Sequence, residues 1–393
     1  MTFEDFLAQI DQPLDAQTVP AFEEVVVDRR TGQPRHAGAD QSDGPWIMQF
    51  RRRAEQSLYV FAKGVLGLTR LTPTLHKPLC AGLTRIPPYR KLRLLPRDHL
   101  KTSVVSRALP MHALIQPPET NVYLPGFEGA STRVLLAGET ATNTEHQLRW
   151  IEMQFESNVR LRALWPHRCW DNPRKEARKW NESEMLLPRT LSFPESSIET
   201  IGVGGAVTGR HYDILIKDDL ATLDAANSPI IMAGAIEWHK ASRALFHDPD
   251  RGLEFIIGTR WAVYDLYHDI IEHDPSVECE VRSAIEEGAP IFPELFTLEG
   301  LDRLRRELGP LFPLLYLNSP VDAAISDFAM AEVREFTVVG NALRFDEDER
   351  DFVLRERLNA PPVAVPMPSG LPLNRDTYDL MAARGEFVRR ARG

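Results

Sequence analysis

The sequence predicts an α/β fold with a mostly parallel, doubly wound central sheet and helical flanking segments. Short apolar runs typical of buried strands alternate along the chain with longer stretches whose apolar residues recur at helical spacing. The chain has 393 residues, and its apolar (43%) and charged (26%) fractions are those of a soluble globular protein. It is therefore long enough for two or three domains with a large buried core.

Composition divides the chain into three parts. Residues 1–44 are mixed and turn-prone, and they predict an N-terminal arm. Residues 45–325 carry the alternation of strands and helices. Residues 326–393 are rich in charge and proline, and they predict a C-terminal lid or tail with no strand able to present a metal-binding cluster.

The middle part contains most of the regular elements that the sequence predicts. They are, in order, helices over 45–67 and 75–83, a strand over 92–95, a helix from Lys101, a strand over 132–138, a long helix ended by Pro166, strands over 189–193, 197–203, 211–220 and 253–261, and a helix through 265–271.

Charge and cysteine content limit the function classes. The three cysteines are far apart (Cys80, Cys169 and Cys279), which argues against a zinc site or a disulfide framework and fits a reducing cytoplasm. No apolar run approaches the roughly 20 residues that span a bilayer, so no membrane partner is expected. The net charge of −10 counts against a protein that simply coats nucleic acid, although basic residues cluster locally.

The first chemical motif is the loop between the strand over 92–95 and the helix that starts at Lys101. A helix N-terminus favours phosphate through its exposed N–H groups and its dipole, while a Lys-Thr pair reaches the outer phosphates and Mg²⁺. The strict pattern has glycine where Leu95 and Leu100 stand, and Asp98 must point away from any phosphate. By itself, the loop also fits an ordinary strand–turn–helix with a solvated lysine.

The second motif is the pair Asp218-Asp219 at the end of a short apolar strand. Carboxylates at the carboxyl end of a parallel strand face the crevice in which α/β sheets bind ligands. One of them can hold Mg²⁺ while the other orients or deprotonates an attacking water. The alternative is a pair that caps a helix, because aspartate is favoured there.

The third motif is Thr259-Arg260-Trp261, which follows another buried strand. A hydroxyl and a guanidinium beside the two aspartates would be able to sense the γ-phosphate of a nucleotide. The structural alternative is that Arg260 pairs with a nearby carboxylate.

The three motifs, in this order, resemble those of the large terminase subunit of tailed bacteriophages, the ATPase that drives DNA into capsids. The likeness covers roughly residues 45–320 and implies a P-loop NTPase of the ASCE type that uses ATP and Mg²⁺. The nucleotide-binding residues implied are Arg97, Lys101, Thr102 and Ser103, and the Mg²⁺ ligands implied are Thr102 and Asp218.

The resemblance also implies a catalytic set. Asp219 occupies the catalytic position, at which many relatives have glutamate, next to Asp218. Thr259 and Arg260 would couple hydrolysis to movement. Arg210 matches a place where relatives can carry an arginine that reaches the nucleotide of a neighbouring subunit.

A packaging ATPase implies particular partners: double-stranded DNA, the portal of a procapsid, a small terminase subunit and further copies of itself in a ring, in the host cytoplasm. Relatives usually carry a nuclease domain after the ATPase, and residues 326–393 are too few for one. The resemblance therefore implies a separate nuclease subunit or a missing nuclease domain.

Three alternatives stay open. A helicase-like DNA translocase would share the same site. A metal-dependent nuclease would use Asp213, Asp218 and Asp219 without a nucleotide. A non-catalytic docking subunit would explain the unusual Asp98, the aspartate at 219 and the lysine at 217, a place that is usually apolar in relatives.

Overall fold

The computed structural model describes residues 44–206 and 208–319, together with six short strands outside these ranges. The chain divides into two compact units, Met1–Pro320 and Val321–Gly393. This division is close to the boundary predicted after residue 325. In the predicted N-terminal arm, β1 (Val25–Val27) and β2 (Pro34–His36) pair antiparallel, and the other residues before 44 lie outside the described part.

The first unit is built around an eight-stranded sheet. Its strands are β3 (Arg90–Leu94), β4 (Val134–Gly138), β5 (Trp180–Asn181), β6 (Glu184–Met185), β7 (Ile198–Gly202), β8 (Ile214–Asp218), β9 (Leu253–Gly258) and β10 (Val277–Val281). They lie in the order β10-β3-β9-β8-β4-β7-β6-β5. Neighbours from β10 to β7 are parallel, and β6 and β5 are antiparallel additions at one edge. The predicted mostly parallel sheet is confirmed.

The helices connect these strands. In chain order they are α1 (Gly44–Gln56), α2 (residues 58–65), α3 (His76–Thr84), α4 (residues 101–114), α5 (Ala141–Ser157), α6 (Val159–Leu164), α7 (Pro173–Glu176), α8 (Leu223–Ala226), α9 (Pro229–Ala241), α10 (Leu266–His273) and α11 (Leu298–Leu308). The hairpin of β11 (Ile285–Glu286) and β12 (Ala289–Pro290) precedes α11, and a π-helical turn, Pro313–Leu317, follows it.

Apolar side chains cover the sheet on both faces, because successive strand residues point to opposite sides. On one face, residues such as Leu136 and Phe255 pack with α1 to α5. On the other face, residues such as Leu94 and Ile256 pack with α9 and α10. Helices on both faces make the sheet doubly wound, as predicted.

Two predicted helices are each divided in the structure. The helix over 45–67 breaks at Ser57, whose hydroxyl accepts from the Val60 N–H at 3.3 Å and so starts α2. The helix ended by Pro166 breaks at Asn158, which caps Leu161 at 3.0 Å. In both cases a side chain that satisfies orphan N–H groups restarts the helix.

The predicted strand over 189–193 is wrong. Those residues form an irregular loop in which the Arg189 guanidinium donates to the carbonyl oxygens of Phe193 at 2.9 Å and Glu195 at 2.7 Å. The sheet is instead extended by the hairpin β5–β6. The Arg189 side chain thus binds carbonyl oxygens that the alternation of apolar and polar residues had predicted to pair within a sheet.

The described part of the second unit consists of four strands: β13 (Phe336–Val339), β14 (Ala342–Phe345), β15 (Phe352–Leu354) and β16 (Phe387–Arg389). They form an antiparallel sheet in that order. The prediction of a lid or tail underestimated the strand content, since short aromatic and β-branched runs suit pleated surfaces even in charged surroundings. The acidic run 346–351 and the prolines at 361–372 lie outside the described residues.

No helix in the described ranges is both long and apolar enough to cross a membrane.

Candidate functional site

The three motifs meet at the carboxyl edge of the parallel sheet. β9 lies between β3 and β8. The loop after β3, the aspartates at the end of β8 and Thr259 after β9 therefore leave the sheet side by side. The sequence separates these segments by up to 158 positions, and only the strand order brings them together.

The loop after β3 contains two residues with a left-handed backbone, neither of which is glycine. Asp98 has φ 63° and Leu100 has φ 60°. Leu100 stands directly before Lys101, where the strict motif has glycine. Its left-handed backbone is the conformation that glycine adopts most readily. A left-handed residue followed by a helical one directs successive N–H groups into one concavity, which suits an anion.

Residues after α11 form hydrogen bonds with this loop. The Arg97 N–H donates to the Leu315 carbonyl oxygen at 2.8 Å, and the Tyr316 hydroxyl donates to Asp98 Oδ2 at 3.4 Å. Asp98 is thus turned to Tyr316, as a phosphate-binding loop would require. Arg97 is exposed.

Lys101 connects the loop to the other two motifs. Its ammonium group is buried and donates to the Leu95 carbonyl oxygen at 3.2 Å and to the Thr259 hydroxyl. Lys101 Nζ also lies 3.8 Å from Asp219 Oδ1. The solvated lysine of the ordinary-loop alternative is therefore wrong, because this lysine faces the motifs from β8 and β9.

Asp218 is held by two hydroxyl groups of α4. Its Oδ1 accepts from Thr102 Oγ1 at 3.3 Å, and its Oδ2 accepts from Ser106 Oγ at 2.6 Å. Burial and the neighbouring Asp219 raise the pKa of Asp218 to about 7, against the opposing effect of the hydroxyls and Lys101. Ser106 was not predicted, although it stands one helical turn after Thr102 on the same face. Ser103, the remaining predicted residue of the loop, lies in the first turn of α4 and is partly buried.

Asp219 has a different environment from its neighbour. Its φ is 47°, its N–H donates to the Ile257 carbonyl oxygen at 3.0 Å, and its buried Oδ1 has no hydrogen-bond partner among the described residues. The alternative that this pair caps a helix is wrong, because α8 begins four residues after Asp219, at Leu223, and Thr222 occupies its N-cap position. A strained backbone thus turns the carboxylate toward Lys101.

Thr259 lies in the site, whereas Arg260 is turned away from it. The Arg260 Nε donates to Asp265 Oδ2 at 3.0 Å, and its N–H donates to Asn318 Oδ1 at 3.1 Å. Asp265 also caps α10 by accepting from the His268 N–H at 2.9 Å. In this state, Arg260 has the structural role that the sequence left open as its alternative.

Two further predicted residues lie at the opposite end of β8. Arg210 is exposed and donates to Glu199. Asp213 accepts from the Arg133 guanidinium at 3.0 and 2.8 Å. Five residues of strand span roughly 16 Å, so Asp213 does not converge with Asp218.

Lys217, unusual before an aspartate pair, points to the other face of the sheet. It is fully buried and donates to Glu254 and to the His239 carbonyl oxygen at 3.2 Å. Burial raises the pKa of Glu254, but Lys217, His239 and Arg243 lower it to about 2 overall. The lysine therefore neutralises a buried carboxylate of β9 rather than entering the site.

A third carboxylate at this edge was not predicted. Glu139 directly follows Gly138, whose strand partner is Asp218, and it accepts a hydrogen bond from the Thr222 hydroxyl. Its position after a buried strand is the signal that would have identified it.

The oxygens of Thr102 and Asp218 form a donor set that suits Mg²⁺, which binds through one or two protein groups together with waters and phosphates. A centre with three or more histidine, cysteine, aspartate or glutamate ligands does not occur among the residues for which the structure gives positions. Thr102 and Asp218 are therefore the residues that would hold the ion beside a phosphate.

Comparison with protein-family models and with curated proteins finds no match to this chain.

Proposed function

We propose that the protein is a Mg²⁺-dependent ATPase of the P-loop type, in its ASCE class. One observation carries the proposal. Hydrogen bonds from Lys101 to Thr259 and from Thr102 to Asp218 join three distant motifs at the carboxyl edge of a parallel sheet. A helix start, a buried lysine and a carboxylate pair are the groups that phosphoryl transfer requires.

Each group has a role that its position supports. Lys101 would exchange its bonds to Leu95 and Thr259 for oxygens of the β- and γ-phosphates. Asp219 would take the proton of the attacking water as the bond to the γ-phosphorus forms. When bound by Thr102 and Asp218, Mg²⁺ neutralises phosphate charge.

We further propose that hydrolysis drives double-stranded DNA into a procapsid, and this step rests on the terminase-like motifs. The partners would be the portal, a small terminase subunit, other copies of the chain in a ring, and a nuclease subunit. The exposure of Arg210, at 62% of its side chain, supports a role toward a neighbouring subunit rather than its own site.

The other functions are distinguished by the same features. A nuclease using Asp213, Asp218 and Asp219 is disfavoured, because Arg133 pairs with Asp213 at the other end of β8. A helicase-like translocase shares the site and differs by separating strands. A docking subunit without catalysis would bind partners but not hydrolyse ATP.

The experiment is a phosphate-release assay with purified protein, with and without Mg²⁺, double-stranded DNA and empty procapsids. We expect Mg²⁺-dependent turnover that Lys101→Ala reduces by about 10²–10³-fold, because a buried phosphate donor is lost. Lys175→Ala, at an exposed lysine of α7, is the matched control and should keep wild-type turnover. Turnover in Lys101→Ala equal to wild type would reject the assignment, and duplex unwinding would favour the helicase-like alternative.

A further inference from the structure

A buried tyrosine hydroxyl at the same edge of the sheet has no acceptor for its proton. Tyr267 of α10 is fully buried; the Ala221 N–H approaches its oxygen, but no acceptor lies at hydrogen-bond distance within the ranges that the structure describes. Asp219 Oδ1 is a second buried atom without a hydrogen-bond partner there, although Lys101 Nζ lies 3.8 Å from it. Burying a polar group without a partner costs free energy, so native proteins rarely do it without a reason.

The Tyr267 hydroxyl and Asp219 both lie next to the last residues of β9. A Cβ atom placed on Gly258, the last residue of β9, would lie 2.1 Å from the Tyr267 hydroxyl oxygen. Glycine at this position therefore leaves the space that the phenol ring occupies. Asp219 reaches the adjacent residue, since its N–H donates to the Ile257 carbonyl oxygen at 3.0 Å.

Three carboxylates lie near the phenol. Burial, and then the charges of Asp219, Asp265 and Asp218, raise the pKa of Tyr267 well above its usual value. Both oxygens of Asp218 already accept hydrogen bonds from hydroxyl groups of α4. Both oxygens of Asp265 already accept hydrogen bonds, Oδ1 from His268 at 2.9 Å and Oδ2 from Arg260 at 3.0 Å. Asp219 is thus the acceptor with a vacant oxygen.

We infer that Tyr267 is a positioning residue whose hydroxyl donates to Asp219 through one bridging water and orients that carboxylate for proton transfer. The inference rests on the proposed ATPase function. In the step concerned, the water oxygen bonds to the γ-phosphorus, and the bond from that phosphorus to the bridging oxygen breaks. ADP leaves with the electron pair, and Asp219 receives the water proton.

The first test is Tyr267→Phe, which removes one oxygen and keeps the ring. We expect kcat for ATP to fall about 10- to 100-fold, the effect of losing a hydrogen bond to a charged group, with KM nearly unchanged. Tyr123→Phe is the matched control. Tyr123 is also buried, but its hydroxyl bonds His112 Nδ1 at 2.8 Å, away from the site, so this variant should lower Tm and keep kcat.

The second test combines Tyr267→Phe with Asp219→Asn. If the tyrosine acts through Asp219, a long single-turnover assay should detect no less residual hydrolysis in the double variant than in Asp219→Asn alone. Wild-type kcat in Tyr267→Phe would overturn the inference, and so would a variant that fails to fold, because the tyrosine would then serve packing. A wild-type protein that folds and never hydrolyses ATP would instead reject the proposed function, which is a distinct outcome.

Discussion

Asp218 and Asp219 are neighbours in sequence, yet their side chains have different partners, so we expect them to have different roles. Asp218 ends a strand and accepts from two hydroxyls of α4. Asp219 leaves the strand through a left-handed residue and approaches Lys101. The sequence predicts that both belong to one site, because they end an apolar strand. It does not reveal their different orientations, which depend on one φ angle.

This difference predicts separate effects of two substitutions. Asp219→Asn should keep nucleotide affinity and stop hydrolysis, since the proton acceptor is lost while the phosphate contacts remain. Asp218→Asn should instead weaken the dependence of turnover on Mg²⁺. Nucleotide affinity by fluorescence titration and turnover by phosphate release, measured at several Mg²⁺ concentrations, separate the two. Normal binding and turnover in both variants would contradict these roles.

The raised pKa of Asp218 predicts a pH dependence of stability. The folded chain holds this proton from the ordinary pKa of 3.8 up to about 7, whereas the unfolded chain releases it near 3.8. The folded state therefore binds more protons in this window, and the free energy of unfolding should fall as pH rises through it. The fall should be a few kcal/mol at most, at about 1.4 kcal/mol per pKa unit.

Urea unfolding without Mg²⁺ at pH 5 and pH 8 measures this effect. Asp218→Asn cannot ionise, so its stability should change less between the two pH values than that of wild type. Saturating Mg²⁺ should reduce the loss in wild type only, because the ion stabilises the carboxylate. Equal pH dependence in both proteins would refute the pKa assignment.

At the scale of elements, motif position was predictable and local geometry was not. The start of α4 at Lys101 follows from the apolar spacing, and the structure confirms it. The sequence did not predict the conformation of Leu100, because a leucine here adopts the left-handed backbone that usually belongs to glycine. It also did not predict the loop over 189–193, where the Arg189 guanidinium binds a carbonyl oxygen that would otherwise pair in a strand.

The contacts of Asp265, between β9 and α10, predict that its loss lowers the free energy of unfolding. Asp265 is buried, caps α10 through His268 and holds the Arg260 guanidinium. Asp265→Ala loses the cap, worth about 1 kcal/mol, and leaves a partly buried cation unpaired, so we expect a total loss of about 2–4 kcal/mol.

Thermal and urea unfolding measure this loss. The matched control is Asp224→Ala, at an exposed aspartate in the first turn of α8, which should change stability by less than about 0.5 kcal/mol. An Asp265→Ala protein as stable as wild type would show that Arg260 finds another acceptor, and the junction would then not depend on the carboxylate.

At the scale of the whole molecule, the strand order assembles the site. Alternating strands and helices predict a parallel sheet, but they do not reveal that β9 lies between β3 and β8. That order depends on long-range pairing, which the local pattern of a single sequence does not encode. It brings Thr259 to Lys101 and separates Arg210 from both.

The charge distribution predicts weak binding of the isolated chain to DNA. The net charge is −10, and several arginines of the basic clusters are already paired. Arg85 and Arg93 both contact Glu278, and Arg168 contacts Glu128 at 2.6 Å. Fewer cations are thus available to phosphates than the sequence count implies, and a ring of several chains would have to combine them around one channel.

Fluorescence anisotropy of a labelled duplex at 50 and 200 mM salt tests this prediction. Each phosphate contact releases counterions and contributes a slope of about −0.9 to the log–log salt dependence, so binding should be weak and should fall steeply with salt. Arg174→Ala together with Lys175→Ala removes two exposed cations of α7, and the duplex affinity tells whether that surface takes part. Tight, salt-insensitive binding by the monomer would contradict the prediction, because contacts other than counterion-releasing ion pairs would then have to hold the DNA.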